Sequence, residues 1–236
     1  MSSVAHVWFG TSGFSYKEWK PEFYPAAFPA KRFLEFYATQ LKSVEIDSTF
    51  YRLPKAETLE AWRLATPEDF RFTIKAAQQI THRERLKTPS KALDYLTDVV
   101  SALGSRLGLL LFQLPPFLRC DTVKLEAFLE AIPRETRTAF EFRHDSWFND
   151  GVYAALEKRN AALCIHDADE GSSPLRLTAD AVYIRLRRTA YSAEQRRDWQ
   201  KRLRAWADSG TEVFAYIKHK DNPGAPRIAM EFARGI

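Results

Sequence analysis

Charged side chains recur at alternate positions at the ends of several short apolar runs, and that alternation is the part of the sequence able to do chemistry. Val44-Glu45-Ile46-Asp47 sets two carboxylates against two aliphatic side chains, and Phe72-Thr73-Ile74-Lys75 does the same with an ammonium. Phe140-Glu141-Phe142-Arg143 carries an acid and a base, and Val182-Tyr183-Ile184-Arg185-Leu186-Arg187 carries two guanidiniums. Leu163-Cys164-Ile165-His166 ends in an imidazole and Ile217-Lys218 in a second ammonium. Side chains along a strand alternate faces. If helices cover the apolar faces, then Glu45, Asp47, Lys75, Glu141, Arg143, His166, Arg185, Arg187 and Lys218 share the opposite one.

Each buried charge costs several kcal/mol unless it is paired. The set must therefore form an ion-pair lattice, with Glu45 meeting Lys75 and Glu141 meeting Arg143, or face solvent and ligand. Five bases stand against three acids in it. A self-contained lattice would be expected to balance, so the surplus favours a pocket for an anionic ligand.

Roles follow from residue type. Lys75, Arg143, Arg185, Arg187 and Lys218 suit anion binding, and an arginine can grip phosphate or carboxylate bidentately. A carboxylate beside a guanidinium stays ionised, which suits Glu141 or Glu45 to the work of a general base. His82 is a candidate proton shuttle. Trp147 could stack on a ring of the ligand, although a place in the core is the commoner fate of tryptophan. Ser12, in Gly10-Thr11-Ser12-Gly13, belongs to a loop able to present amides to phosphate, with a tight turn as the alternative. Asp47 completes the substrate-facing set. A divalent metal would draw on Glu45, Asp47, Glu141, His166 and Asp167, but no diagnostic ligand spacing is present, so metal is not favoured. Glu45 and Glu141 as a glycosidase pair conflict with the bases around them. The reading is a hydrolase or lyase of an anionic, phosphate-bearing small molecule. Its rivals are a nucleic-acid-binding module without catalysis and a barrel whose ion-pair interior is purely structural.

The elements that must position these residues alternate along the chain. Eight strands are predicted: Val7–Gly10, Val44–Asp47, Phe72–Lys75, Leu109–Gln113, Ala139–Arg143, Leu163–His166, Val182–Arg187 and Val213–Lys218. Between them run amphipathic stripes marked by Phe33, Phe36 and Tyr37, by Leu59 and Trp62, and by Leu93, Leu96, Val100 and Leu103 before Gly104. A fourth stripe, Leu125, Phe128, Leu129 and Ile132, stops at Pro133, and Ser192 to Gln195 reads as a capping box ahead of Trp199, Leu203 and Trp206. Strand–helix alternation implies parallel pairing, and eight strands predict an α/β fold of the (β/α)₈ TIM-barrel type, one domain over residues 1–236. An open doubly wound sheet is the alternative. Residues Ala168 to Asp180 carry no helical stripe, so the sixth crossover is expected to be irregular.

Composition sets the bounds. The chain has 236 residues, 45% hydrophobic and 28% charged, with a net charge of +5. That is the make-up of a soluble protein with a full core and a lean toward anionic partners. No apolar run approaches the ~20 residues of a membrane span, and Met1 to Phe9 lacks the features of a signal peptide. Two cysteines without a Cys-x-x-Cys pair exclude a disulfide framework and fit a reducing cytoplasm.

Several stretches resemble one family in order along the chain. Gly10-Thr11-Ser12-Gly13-Phe14-Ser15-Tyr16 with Trp19 and Phe23-Tyr24-Pro25 is similar to the opening of the YecE-like family, domain of unknown function seventy-two. Val44 to Tyr51, Phe72 to Ala76 with Thr81-His82, Leu111 to Pro116, and Glu141 to His144 with Ser146-Trp147 extend the resemblance over most of the chain. It implies a (β/α)₈ barrel and no settled activity. The sequence departs from the family pattern at Asp47, where Asn is expected. It departs again at Lys218-His219-Lys220-Asp221-Asn222, where an Asn-Asn pair is common, and this puts a ligand role of the last loop in doubt.

Overall fold

The computed structural model describes residues 6–218 and 223–236. Eight parallel strands form the barrel: β1 (Val7–Ser12), β2 (Ser43–Ile46), β3 (Arg71–Lys75), β4 (Leu107–Gln113), β5 (Thr138–Glu141), β6 (Ala162–Ala168), β8 (Ala181–Leu186) and β9 (Glu212–Ile217). The two-residue β7 (Gly171–Ser172) only folds back antiparallel on the end of β6. Each barrel strand pairs with its neighbour, and β1 pairs with β9 to close the ring. Closure removes the exposed edges that an open sheet would leave.

Helices α1 (Phe33–Gln40), α2 (Ala56–Leu64), α3 (Lys91–Val100), α4 (Thr122–Ala131), α5 (Asp150–Lys158), α6 (Ala193–Asp208) and α7 (Ala225–Arg234) connect the strands or close the chain. Their ends follow local chemistry. The Ser90, Asp121 and Asn149 side chains accept backbone amides at the starts of α3, α4 and α5. Ser192 and Gln195 form a reciprocal capping box on α6. The α3 stripe ends sooner than its periodicity predicts. Leu103 lies in a short tight turn after the helix, and Gly104 leaves helical geometry at φ 53°, which glycine adopts without steric cost. Helix α5 had no predicted counterpart, because its stripe is only Val152, Ala155 and Leu156. The connection from β6 to β8 contains β7 and no helix, as the Gly171 and Pro174 stretch suggests.

Strand parity divides the core in two. Outward residues such as Val44, Ile46, Phe72, Ile74, Phe140, Phe142, Val182 and Ile184 pack beneath the helices in one large apolar layer. Each such side chain, fully buried, contributes about 1.5–3 kcal/mol. The inward residues form a smaller cluster that includes Trp8, Leu109, Leu111, Cys164, Tyr183, Phe214 and Tyr216. Trp8 and Phe214 stack low in the lumen, with centroids 4.7 Å apart. Above them the Tyr216 hydroxyl lies 2.7 Å from both Ser43 Oγ and Thr73 Oγ1. The floor of the barrel is thus solid, and the buried ionic groups lie above it, toward the C-terminal ends of the strands. Among the described residues, no helix is long and apolar enough to cross a membrane.

Candidate functional site

Of the charged positions predicted from parity, Glu45 and Glu141 converge across the lumen on Arg185. Its Nη2 donates to Glu45 Oε1 at 2.6 Å and its Nη1 to Glu141 Oε2 at 2.5 Å. All three side chains are essentially inaccessible to solvent. Glu45 also accepts from Ser12 Oγ at 2.7 Å and from the Tyr183 hydroxyl at 2.5 Å. The second oxygen of Glu141 forms an ion pair with Arg143.

The predicted Glu45–Lys75 pair is therefore corrected. Glu45 is claimed by a bidentate-capable guanidinium with two further donors, which leaves Lys75 without a carboxylate of its own. The Glu141–Arg143 pair is present, as expected.

This pairing decides what the carboxylates can do. Burial by itself would raise both carboxyl groups, but the Arg185 charge, supported by Arg187 and by direct hydrogen bonds, overrides it. Both are held below the ordinary carboxylate range, Glu141 far below. A carboxylate held this firmly ionised has little appetite for a proton, so as general bases Glu45 and Glu141 are poorly suited at neutral pH. They lock the Arg185 guanidinium in place instead.

Around that core lie cations with less to hold them. Arg187 has no ion pair or side-chain hydrogen bond among the described residues, and its proton affinity is lowered by burial and by the neighbouring charge of Arg185. The buried Nε atoms of Arg143, Arg185 and Arg187, and Nδ1 of His166, have no hydrogen-bond partner among the described residues. Lys75 projects from the end of β3 with its Nζ 4.3 Å from the centroid of the Phe50 ring. Burial and the charge of Arg185 bring its ammonium down to about 8. His82 meets the same Phe50 ring edge-on at 4.9 Å, and burial with the nearby Lys75 charge lowers its proton affinity. Lys218 follows β9 at the same mouth, half-buried. Residues 219–222 of the last loop lie outside the described residues.

Two other predicted ligand contacts, Trp147 and Ser12, change character. Trp147 is a core residue, 1% exposed, stacked on Phe142 at 4.7 Å and donating Nε1–H to the Leu118 carbonyl. Ser12 is buried and its hydroxyl is spent on Glu45. The Gly10–Gly13 stretch is no phosphate nest: the Thr11 amide goes to the Tyr37 hydroxyl and the Gly13 amide to the Glu45 carbonyl. Asp47 sits half-buried just past β2, where its charge and that of Glu45 add to burial in raising the Tyr16 phenol.

The five candidate metal ligands do not converge either. Asp167 faces away from the lumen, toward Arg188, Trp199 and Ser172. Among the described residues no three His, Cys, Asp or Glu side chains come together to hold a metal ion. The residues that parity alone understated are Tyr183, which shares its face with Arg185, and Phe50, which seats Lys75 and His82.

Comparison with known proteins gives the same architecture. Residues 8–236 match the family described as "Protein of unknown function DUF72". The chain is 29% identical over 171 residues to UPF0759 protein YunF of Bacillus subtilis, covering 66% of this chain and 61% of that protein. It is 34% identical over 119 residues to UPF0759 protein YecE of Escherichia coli K12, covering 50% of this chain and 44% of that protein. These alignments span less than two thirds of either relative. A solved DUF72 family protein from Thermotoga maritima superposes with a TM-score of 0.84 at 25% identity, over 97% of this chain and 98% of that one. One from Enterococcus faecalis gives 0.79 at 18% identity, over 99% and 98%, which bears on the fold alone.

Proposed function

The chain belongs to the DUF72 family of proteins of unknown function, and from that premise we propose that its barrel mouth binds an anionic, phosphate-bearing small molecule and acts on it as a hydrolase or lyase. One observation carries this reading. The inward set holds more cation than its carboxylates neutralise, and the surplus sits where a ligand would enter. Arg185 is consumed by Glu45 and Glu141, while Arg187 and Lys75 have no carboxylate partner among the described residues. A lattice built only for stability would not be expected to leave guanidinium nitrogens buried and unpartnered. C-terminal mouths are also where barrels of this type place their chemistry.

In this reading Arg143, Arg187, Lys75 and Lys218 bind the anion, with Arg185 held rigid by the two glutamates. Proton transfer falls to His82 and Lys75, whose lowered proton affinities leave more of each in the basic form than an exposed side chain would have. The free cysteines Cys120 and Cys164 fit a cytoplasmic setting. Thermal unfolding in the presence of inorganic phosphate and simple phosphomonoesters tests the binding. A ligand at about 100 times its Kd adds about 2.7 kcal/mol of stability, and Arg187→Ala is expected to abolish that gain. No upward shift with any anion, or an unchanged shift in Arg187→Ala, overturns the reading.

A second reading has its own observation. Tyr51 and Phe117, in loops after β2 and β4 at the same mouth, are 78% and 62% exposed, and the Arg85 guanidinium lies 5.3 Å from the Phe117 ring centroid. Exposed aromatics beside a basic mouth suit single-stranded nucleic acid, whose bases stack on them. Gel shifts at two salt concentrations separate the readings, because phosphate-backbone binding falls steeply with salt.

A further inference from the structure

We propose that Lys75 is an imine-forming nucleophile, and that the anion bound at the mouth is a carbonyl compound carrying a carboxylate or phosphate group. The proposal rests on the anion-binding reading and names the substrate class for that same site.

The geometry sets Lys75 apart from the other cations of the lumen. It shares the inward face of β3 with Thr73, whose hydroxyl contacts Tyr216 across the barrel at 2.7 Å. Its Nζ rests over the face of Phe50 rather than beside a carboxylate. The charged groups that face it are Arg185 from β8 and Arg187 just past it, Glu45 from β2 and Glu141 from β5, with His82 from the turn after β3. Both carboxylates are already engaged by guanidiniums. The ammonium is therefore half-buried, against an aromatic face and close to two like charges. The Phe50 face favours the ammonium, so what opposes the charge is burial and the two guanidiniums, and these outweigh the ring. A lysine that must lose its proton to act as a nucleophile gains directly, because desolvation and neighbouring cations are the means by which imine-forming lysines are activated. With a proton affinity near 8, about a tenth of the side chain is free amine at pH 7.

The step balances without an external oxidant or reductant. The Nζ lone pair forms a bond to the carbonyl carbon, and the carbonyl oxygen takes a proton to become a hydroxyl. Nitrogen gives up a proton, and the carbinolamine then expels water as the C=N bond forms. His82 is placed to exchange these protons. Its Nδ1 is engaged by Thr81 Oγ1 at 2.8 Å, which leaves Nε2 for the exchange. The guanidiniums of Arg143 and Arg187 at the mouth hold the anionic end of the compound.

Sodium borohydride reduces an imine to a stable secondary amine, so the full chain is incubated at pH 7.5 with borohydride and either pyruvate or dihydroxyacetone phosphate. The modified residue is then mapped by peptide mass spectrometry. The expected result is an adduct at Lys75 at least about tenfold above that at any other lysine, as an activated amine should give. Pyruvate selects the carboxylate source of the anion and dihydroxyacetone phosphate the phosphate source. Adduct absent from Lys75 with both compounds, or spread evenly over the lysines, overturns the proposal. The mapping on the unaltered chain needs no variant. Lys75→Arg, checked for cooperative unfolding, should lose the adduct; an undiminished adduct elsewhere in it also overturns the proposal. Thermal shifts with the same two compounds keep the two readings apart. A shift in melting temperature without an adduct sinks the imine and leaves anion binding standing, whereas neither shift nor adduct sinks both.

Discussion

Arg185 reaches Glu45 across the lumen at 2.6 Å although the two residues lie 140 positions apart. One guanidinium from β8 thereby joins β2 to β5 through Glu141, and strands brought together only by barrel closure are tied at a single point. Such a tie does not guarantee stability, since replacing a whole buried ion network with apolar groups is often neutral. Removing one member is different, because the others remain buried without compensation. Arg185→Met should cost about 3–5 kcal/mol, read as a lower urea midpoint with an unchanged slope. A loss below about 1 kcal/mol would mean that water enters the lumen and that the pair is screened like a surface one.

The same carboxylates fix a pH dependence. Glu45 and Glu141 have proton affinities lowered in the folded state, with an ordinary value of 4.5. Above that value the unfolded chain is ionised too, so their contribution is fully present. Below it the unfolded chain takes up protons first, and the contribution is lost progressively as pH falls toward the folded-state values. Stability measured from pH 7 down to pH 3 should thus fall more steeply in the natural chain than in Glu141→Gln. Parallel profiles for the two proteins would show that Glu141 is not held ionised by Arg185.

Much of this arrangement was legible in the sequence, and the reason is geometric. Parity is a property of the backbone, so Val182-Tyr183-Ile184-Arg185 announces which side chains share a face whatever surrounds them. Pairing is a property of closure, which parity does not contain. Lys75 looked like the partner of Glu45 because their strands are neighbours, yet Arg185, three strands away around the closed ring, reaches across the lumen and takes that place with its Nη2. Trp147 misled for a similar reason. It stands next to charged residues in sequence, but it follows the inward Arg143 into a turn that folds it under Phe142. The connection from β6 to β8 was readable as irregular from what it lacked, while α5 was missed because its buried stripe is short and carries an alanine.

Close backbone approach gives a prediction independent of the charges. A Cβ added at Gly10 would lie 1.9 Å from the Ser43 carbonyl oxygen and 2.7 Å from its carbon, both main-chain atoms of the adjoining strand. Neither can move without breaking the β1–β2 ladder or pulling Tyr37 from Ser43, whose carbonyl its hydroxyl holds at 2.9 Å. Gly10→Ala is expected to destabilise the fold by more than about 4 kcal/mol, in the range reserved for overpacking at a fixed backbone. Gly210→Ala is the control for left-handed strain alone, since a Cβ there meets nothing but the residue sits at φ 87°. Circular dichroism melts of the two should differ widely, and similar losses would place the effect in backbone strain rather than crowding.

The last prediction turns on the sign of a lysine's contribution. Lys75 binds its proton with an affinity near 8 in the folded chain against an ordinary 10.5. Below pH 8 both states are protonated and the folded one carries an undiminished penalty. Between about 8 and 10.5 the unfolded chain holds the proton more tightly than the folded one, so this term makes stability rise with pH and level off above. Replacing the ammonium with an apolar side chain of similar length removes the penalty at neutral pH. The full shift corresponds to more than 3 kcal/mol at about 1.4 kcal/mol per pKa unit, reduced by solvent at the open mouth, so Lys75→Met should be more stable by about 1–2 kcal/mol at pH 7. The difference between the two proteins should shrink as pH approaches 10. A residue whose removal strengthens the fold is held there for a reason other than stability, which is the signature of a functional site. Urea unfolding of the pair at pH 7 and pH 10 decides it: a Lys75→Met chain weaker than the natural one at pH 7 would make Lys75 a structural cation and remove the physical ground for its nucleophilic role.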